Sequence, residues 1–210
     1  MVDDAPFDPL ALDNIGVVLA VELSRQELHP LPPPSFSGAG VYALYYCGKH
    51  ETYGDLVTLD GGKWRYPIYV GQATSTGFSL GATEQKRILE RLKNHAKSIE
   101  QAQNIELSDF RCRYLVINDA HIALAEAVLI TAFRPPWNGM GLGSKVVGRF
   151  RMGGAASLWD SIHPGRAGRP AGAQRADEAA TRVKESIAAL THEPDDPRLK
   201  WMLERIRKFL

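Results

Sequence analysis

Two short runs, GVYALYYCG from Gly40 and YPIYVGQA from Tyr66, constrain the fold of this chain more than any other feature. Both are dense in β-branched and aromatic residues, which suit a pleated surface, and each sets a tyrosine close to a glycine: Tyr42 after Gly40, Tyr69 before Gly71. Between them ETYGDLVTLDGGKW carries the turn signal Gly61-Gly62, which predicts a hairpin lengthened by an inserted ribbon. A loop rich in Gly, Ser and Thr, from Gly71 to Thr83, leads into EQKRILERLKNHAKSIEQA, where Ile88, Leu89, Leu92 and Ile99 share one side of a helix. DFRCRYLVIND then reads as a strand, and Asp119 as the cap of the Ala-rich helix AHIALAEAVLITAF, which stops before Pro135-Pro136. The order β-β-α-β-α predicts an α+β fold: a small antiparallel sheet of about three core strands plus the inserted ribbon, flanked by helices.

Residues 38–139 therefore form the expected core. Before it, residues 1–37 read as a helix following Asn14 and then an extended connector, because the prolines of HPLPPPSFSG must leave the helical region. After it, residues 140–210 open with Gly/Arg-rich sequence. NGMGLGSKVVGRFRMGG and HPGRAGRPAGAQR have too little apolar content to pack by themselves and are expected to be loop. Helical character returns in ADEAATRVKESIAAL and in DDPRLKWMLERIRKFL, with Asp196 at the N-cap and Pro197 at the first helical position.

The net charge of +1 gives no hint of a polyanionic partner, but its distribution does. Residues 134–175 carry seven Arg/Lys against the single Asp160, a local charge of +6, while residues 1–34 carry −5. Cys47 and Cys112 lack CxxC spacing, so neither a disulfide framework nor a structural zinc site is expected. The chain has no apolar run of about 18 residues and opens on the acidic MVDDAPFDPL, which points to a cytoplasmic protein without a membrane partner.

Several residues have the chemistry of a site. Arg91 and His95 stand four apart, hence one turn apart on one helix face, where they suit a phosphate; a solvated basic face with Lys86, Arg87, Lys93 and Lys97 is the plainer alternative. Glu126 sits within LAEAVLI, where a buried carboxylate needs a cation, a donor or a water-filled cleft, unless it lies on the polar side of its helix. Asn138, before Gly139 and after two prolines, is either a turn residue or part of the same site.

Taken together and in order, these pieces resemble the GIY-YIG nuclease superfamily: GVY supplies Tyr42, YVG supplies Tyr69, LERLKNH supplies Arg91 and His95, LAEAVLI supplies Glu126, and PPWNG supplies Asn138. The match runs from about residue 38 to residue 139. Tyr42 and Tyr69 lie 27 positions apart, more than the family commonly allows, so the insertion must absorb the difference. The helical histidine, the long insertion and the lack of a zinc-finger or helix-turn-helix appendage are similar to the compact type II restriction endonucleases, some of which cut the GC-rich palindrome CCGCGG.

The resemblance implies hydrolysis of double-stranded DNA with one magnesium ion, manganese substituting, held by Glu126. Arg91 would neutralise phosphate charge and His95 would move protons near the attacking water. Tyr42 would be the general base, its acidity increased by nearby cations, with Tyr69 orienting water and phosphate and Asn138 completing the six. It also implies a homodimer, to cut both strands of a palindrome, and a cognate DNA methyltransferase. DNA affinity is expected from Lys86, Arg87, Lys93 and Lys97, and from Lys145, Arg149, Arg151, Arg166 and Arg169, the arginines of this group being candidates for reading guanine edges. The alternatives are a repair, recombination or homing nuclease on the same core, and a catalytically silent DNA-binding protein.

Overall fold

The run beginning at Gly40 alternates nothing: every residue of strand β2 (Gly40–Tyr46) is buried. Such a strand needs cover on both faces, and the computed structural model supplies it. It describes residues 8–74, 86–143, 156–169 and 175–209. The sheet order is β1-β4-β2-β3, antiparallel throughout, with β1 at His29–Pro30, β3 at Tyr69–Ala73 and β4 at Phe110–Val116. Tyr42, Leu44 and Tyr46 face the apolar side of α3 (Arg87–Glu100), which buries Ile88, Leu92 and Ile99 there; Leu89 is buried as well. Val41, Ala43 and Tyr45 face the opposite layer, built by α1 (Leu12–Arg25), α4 (Asp119–Phe133) and the last helix, Pro197–Phe209.

The N-terminal connector contributes the edge strand β1, pairing His29 with Cys112. Asp196 caps the last helix, accepting from Arg198 N at 2.9 Å, with Pro197 at its first position. At the start of α4 the cap is Asn118, whose side chain accepts from Ala120 N at 3.0 Å; Asp119, expected there, is already inside the helix.

The insertion between Tyr42 and Tyr69 is not a ribbon. It folds as a 3-10 turn, Glu51–Tyr53, followed by α2 (Gly54–Asp60). Gly61, read as a hairpin turn, is the left-handed C-cap of that helix, at φ 59°. Tyr53, Leu56 and Asp60 are buried at the three- and four-residue spacing of a helix, and this packing overrides the turn signal. The Asp60 carboxylate then gathers the returning chain, accepting from Trp64 N at 2.7 Å, Arg65 N at 2.6 Å and Tyr66 N at 3.1 Å. The bend lets β3 pair with β2 in a plain antiparallel register despite the long insertion, Tyr42 opposite Gly71.

Among the described residues, the segment after the core folds further than its composition suggests. Leu158–Ile162 forms a short helix, α5, and α6 spans Ala176–Ala188. Trp159 is fully buried edge-on to Trp137, with centroids 5.6 Å apart. A polar chain runs through this layer: Trp137 Nε1 donates to Tyr53 Oη at 2.9 Å, Tyr53 donates to His163 Nε2 at 2.5 Å, and His163 Nδ1 donates to Asn104 Oδ1 at 2.8 Å. Only a neutral His163 fits that chain of donors, and burial holds its pKa down to about 3.

His95, on the buried side of α3, is likewise enclosed, and burial, Arg91 and Arg166 hold it down to about 3. Both histidines regain an ordinary value of about 6.5 on unfolding, so the unfolded chain binds more protons between pH 6.5 and 3. Stability is therefore expected to fall as pH drops through that window, by about 2–3 kcal/mol per histidine between pH 7 and 4.5. Denaturant midpoints at the two pH values check this; His163→Gln should be less stable at pH 7 but should lose roughly half of the pH slope.

Candidate active site

Two glycines explain why the tyrosine motifs have the form they do. Gly40 adopts φ 152°, and a Cβ there would collide with the Leu115 carbonyl of the neighbouring strand. At Gly71 a Cβ would fall 2.6 Å from Tyr42 Oη and 2.9 Å from Tyr69 Cε1. Only a glycine lets the two phenols lean together across the strand pair, with ring centroids 6.3 Å apart.

Tyr42 Oη lies 2.7 Å from His95 Nε2, one turn along α3 from Arg91. With His95 neutral, the tautomer that leaves Nε2 unprotonated lets it accept from the Tyr42 hydroxyl, and the other tautomer reverses that bond and frees the Tyr42 proton for Tyr69. Burial pushes the Tyr42 pKa well up from the ordinary phenol value, Tyr69 pushes it further, and Arg91 only partly offsets them. The expected increase in Tyr42 acidity is thus not present in the free protein. Desolvation outweighs the nearby cation, and the resting form is the phenol.

Glu126 enters from the other side of the sheet. Helix α4 packs on the face opposite α3, but β3 is an edge strand, so the half-buried carboxylate reaches the same cluster around that edge. Burial raises its pKa, while Gln72, donating from side chain and backbone, and Arg91 pull it back. Its charge is felt by both Tyr42 and Tyr69. Tyr42, Tyr69, Arg91, His95 and Glu126 therefore form one electrostatically connected group.

Asn138 serves this group indirectly. Its Oδ1 accepts from Val70 N at 2.9 Å and its Nδ2 donates to Val70 O at 2.8 Å, so the amide replaces the missing neighbour of edge strand β3, next to Tyr69. In the free protein the Asn138 side chain is thus engaged with the backbone of the strand that carries Tyr69. Asn138→Ala leaves both Val70 groups without their partner and is expected to lower stability by about 1–3 kcal/mol, measured by denaturant unfolding.

A family model described as the Eco29kI GIY-YIG domain matches residues 34–191. The chain belongs to this family. It is a GIY-YIG nuclease domain of the restriction-endonuclease type, and its substrate is DNA. A search of curated proteins found no match.

The GIY-YIG cluster contains a single carboxylate, and among the described residues no three His, Cys, Asp or Glu side chains gather into a metal cage. Magnesium needs no cage: one or two protein oxygens, waters and substrate phosphate suffice. Glu126 meets that requirement, and beside it the Gln72 Oε1 is buried without a partner among the described residues, so the donor set fits a hard cation.

Among the basic residues, Lys86, Lys93 and Lys97 are exposed along α3, and Arg87 lies near Glu90 at 3.5 Å. Lys86 Nζ reaches Ser35 Oγ at 2.9 Å. Lys145, Arg149 and Arg151 lie outside the described residues. Arg169 is half-buried. Arg166, expected on a DNA-reading loop, is buried: it pairs with Asp160 at 2.6 Å, donates to Leu142 O at 3.0 Å and stacks on Trp159. The loop composition hid this role because its acid partner lies inside α5, six residues earlier.

A cleft of about 630 Å³ opens beside Tyr69, floored by residues 138–143 and walled by Arg175 and Arg182 of the α6 region. Arg182 extends over Gly139. Arg175 closes the basic segment 134–175 and Arg182 falls in the charge-balanced amphipathic stretch after it; the nearness of both to Tyr69 is purely tertiary.

Proposed function

We propose that this chain is a magnesium-dependent type II restriction endonuclease that cuts a GC-rich palindromic site in double-stranded DNA. The observation that carries the reading is the Tyr42–His95 hydrogen bond at 2.7 Å, set beside Arg91 and within the field of Glu126. A protein that only binds DNA has no use for a buried hydroxyl–imidazole pair next to a carboxylate that repels phosphate.

Arg91 holds the charge of the scissile phosphate. Tyr42 takes a proton from the attacking water as its own proton passes to His95 Nε2, the phosphate charge offsetting the Arg91 charge that helps hold His95 down in the free protein. Tyr69 orients the water and phosphate against Tyr42, and Asn138 fixes the strand that carries Tyr69. Glu126 would hold the magnesium ion, which when bound would supply charge neutralisation at the phosphate and the leaving oxygen.

The DNA backbone runs along the exposed lysines of α3 and the cleft walled by Arg175 and Arg182. Two copies related by a two-fold axis would cut both strands, and a cognate methyltransferase would protect the host site. Leu12 and Val18 on α1 and Phe209 on the last helix, all exposed, are the apolar positions offered to a second copy. No described helix is long and apolar enough to cross a membrane.

Unmethylated plasmid DNA incubated with the protein and magnesium is the test. Discrete fragments support the restriction reading. Smearing points to a structure-directed or nonspecific nuclease, and intact DNA bound by the protein points to a silent binder.

A further inference from the structure

Gln72 directly follows Gly71 on β3 and, by strand alternation, faces the α4 layer with Val70 instead of the tyrosine side. Its amide nitrogen and backbone N–H both donate toward Glu126. Its Oε1 is buried and has no hydrogen-bond partner among the described residues. An orphaned buried carbonyl costs about 1–3 kcal/mol, which a methionine or leucine of similar size would avoid. Packing alone therefore does not account for a glutamine here. What the position offers is an oxygen acceptor next to a carboxylate, with no donor among the described residues aimed at it.

A hard divalent cation and its waters complete such an acceptor pair. We propose that Gln72 is the second protein residue of the Glu126 cation site: its nitrogen orients the carboxylate and its Oε1 accepts from, or coordinates, the cation's shell. The proposal rests on the cation reading above and adds a residue to it.

The test compares wild type with Gln72→Leu, Gln72→Glu and Glu126→Gln, all first checked for native circular dichroism. Mn²⁺ titrations followed by electron paramagnetic resonance give cation affinity without cleavage, and the Mg²⁺ concentration for half-maximal cutting is a second readout. Loss of a residue in this position typically lowers metal affinity about 10–100-fold, and that loss is expected for Gln72→Leu in both readouts. Gln72→Glu separates the roles. If Gln72 only orients Glu126, a second carboxylate repels the first and the variant should be the worst of the set; if it serves the cation, the added charge should tighten Mn²⁺ binding beyond wild type. Wild-type affinity in Gln72→Leu, or a Gln72→Glu weaker than Gln72→Leu, overturns the proposal while leaving the Glu126 site standing. Wild type that binds Mn²⁺ no better than Glu126→Gln overturns the cation reading itself, and the proposal with it.

Discussion

Glu126→Ala is expected to lose at least about 1,000-fold in single-turnover cleavage while duplex affinity stays within about tenfold of wild type. Glu126 is the carboxylate that reaches the tyrosine cluster, so its removal deletes the anionic oxygen on which a cation can be held. Binding is spared for the opposite reason: the lost charge repelled phosphate. The fold should also survive, because the side chain is only half-buried and alanine is a good helix former inside α4. Filter binding or anisotropy beside a quenched cleavage assay measures both quantities. Cutting at near the wild-type rate would remove Glu126 from the chemistry and require another source of charge neutralisation.

Tyr42→Phe is expected to slow cleavage by at least about 100-fold, with DNA affinity unchanged. The ring is 1% exposed and packs against Leu44, α3 and the close approach of Gly71, all of which phenylalanine retains. What disappears is one oxygen, and with it the hydrogen bond to His95 Nε2 and the proposed route by which a water proton reaches the imidazole. An unpartnered buried Nε2 costs about 1–3 kcal/mol of stability, a loss that leaves the protein folded at assay temperature if its total stability is ordinary. The pH dependence distinguishes a relay from a phenolate base. A phenolate raised by burial would drive the rate upward into the alkaline range, whereas transfer through Tyr42 to His95 should flatten once His95 is neutral, and both features should vanish in Tyr42→Phe. A variant that cuts like wild type would make Tyr42 an ordinary sheet aromatic.

The order of elements from residue 38 to residue 139 was legible in the sequence because each is short-range: β-branched runs, a 3.6-residue apolar period in α3, prolines after α4. So was the membership of the tyrosine, arginine, histidine and glutamate positions in one group, since their order along the chain is the family's own. The inserted helix was misread because a Gly-Gly pair punctuates a helix end as readily as a hairpin, and the burial of Leu56 and Tyr53 that decides between them is long-range. The burial of Arg166 was hidden for a similar reason: Gly/Arg composition says solvent, but the buried Asp160 and the Trp159 ring lie within reach only after folding.

By itself, then, the sequence determined which chemical groups are present and which strands and helices carry them, because residue identity and local periodicity are written along one dimension. The tertiary structure alone decided what those groups are. Burial makes Tyr42 a phenol and His95 a neutral imidazole, the open edge of β3 brings Glu126 around from the far face, and the same edge turns Asn138 into a clamp on Val70. Desolvation and strand-edge pairing depend on neighbours remote in the chain. The residue types were therefore legible before folding, and their protonation states and partners were not.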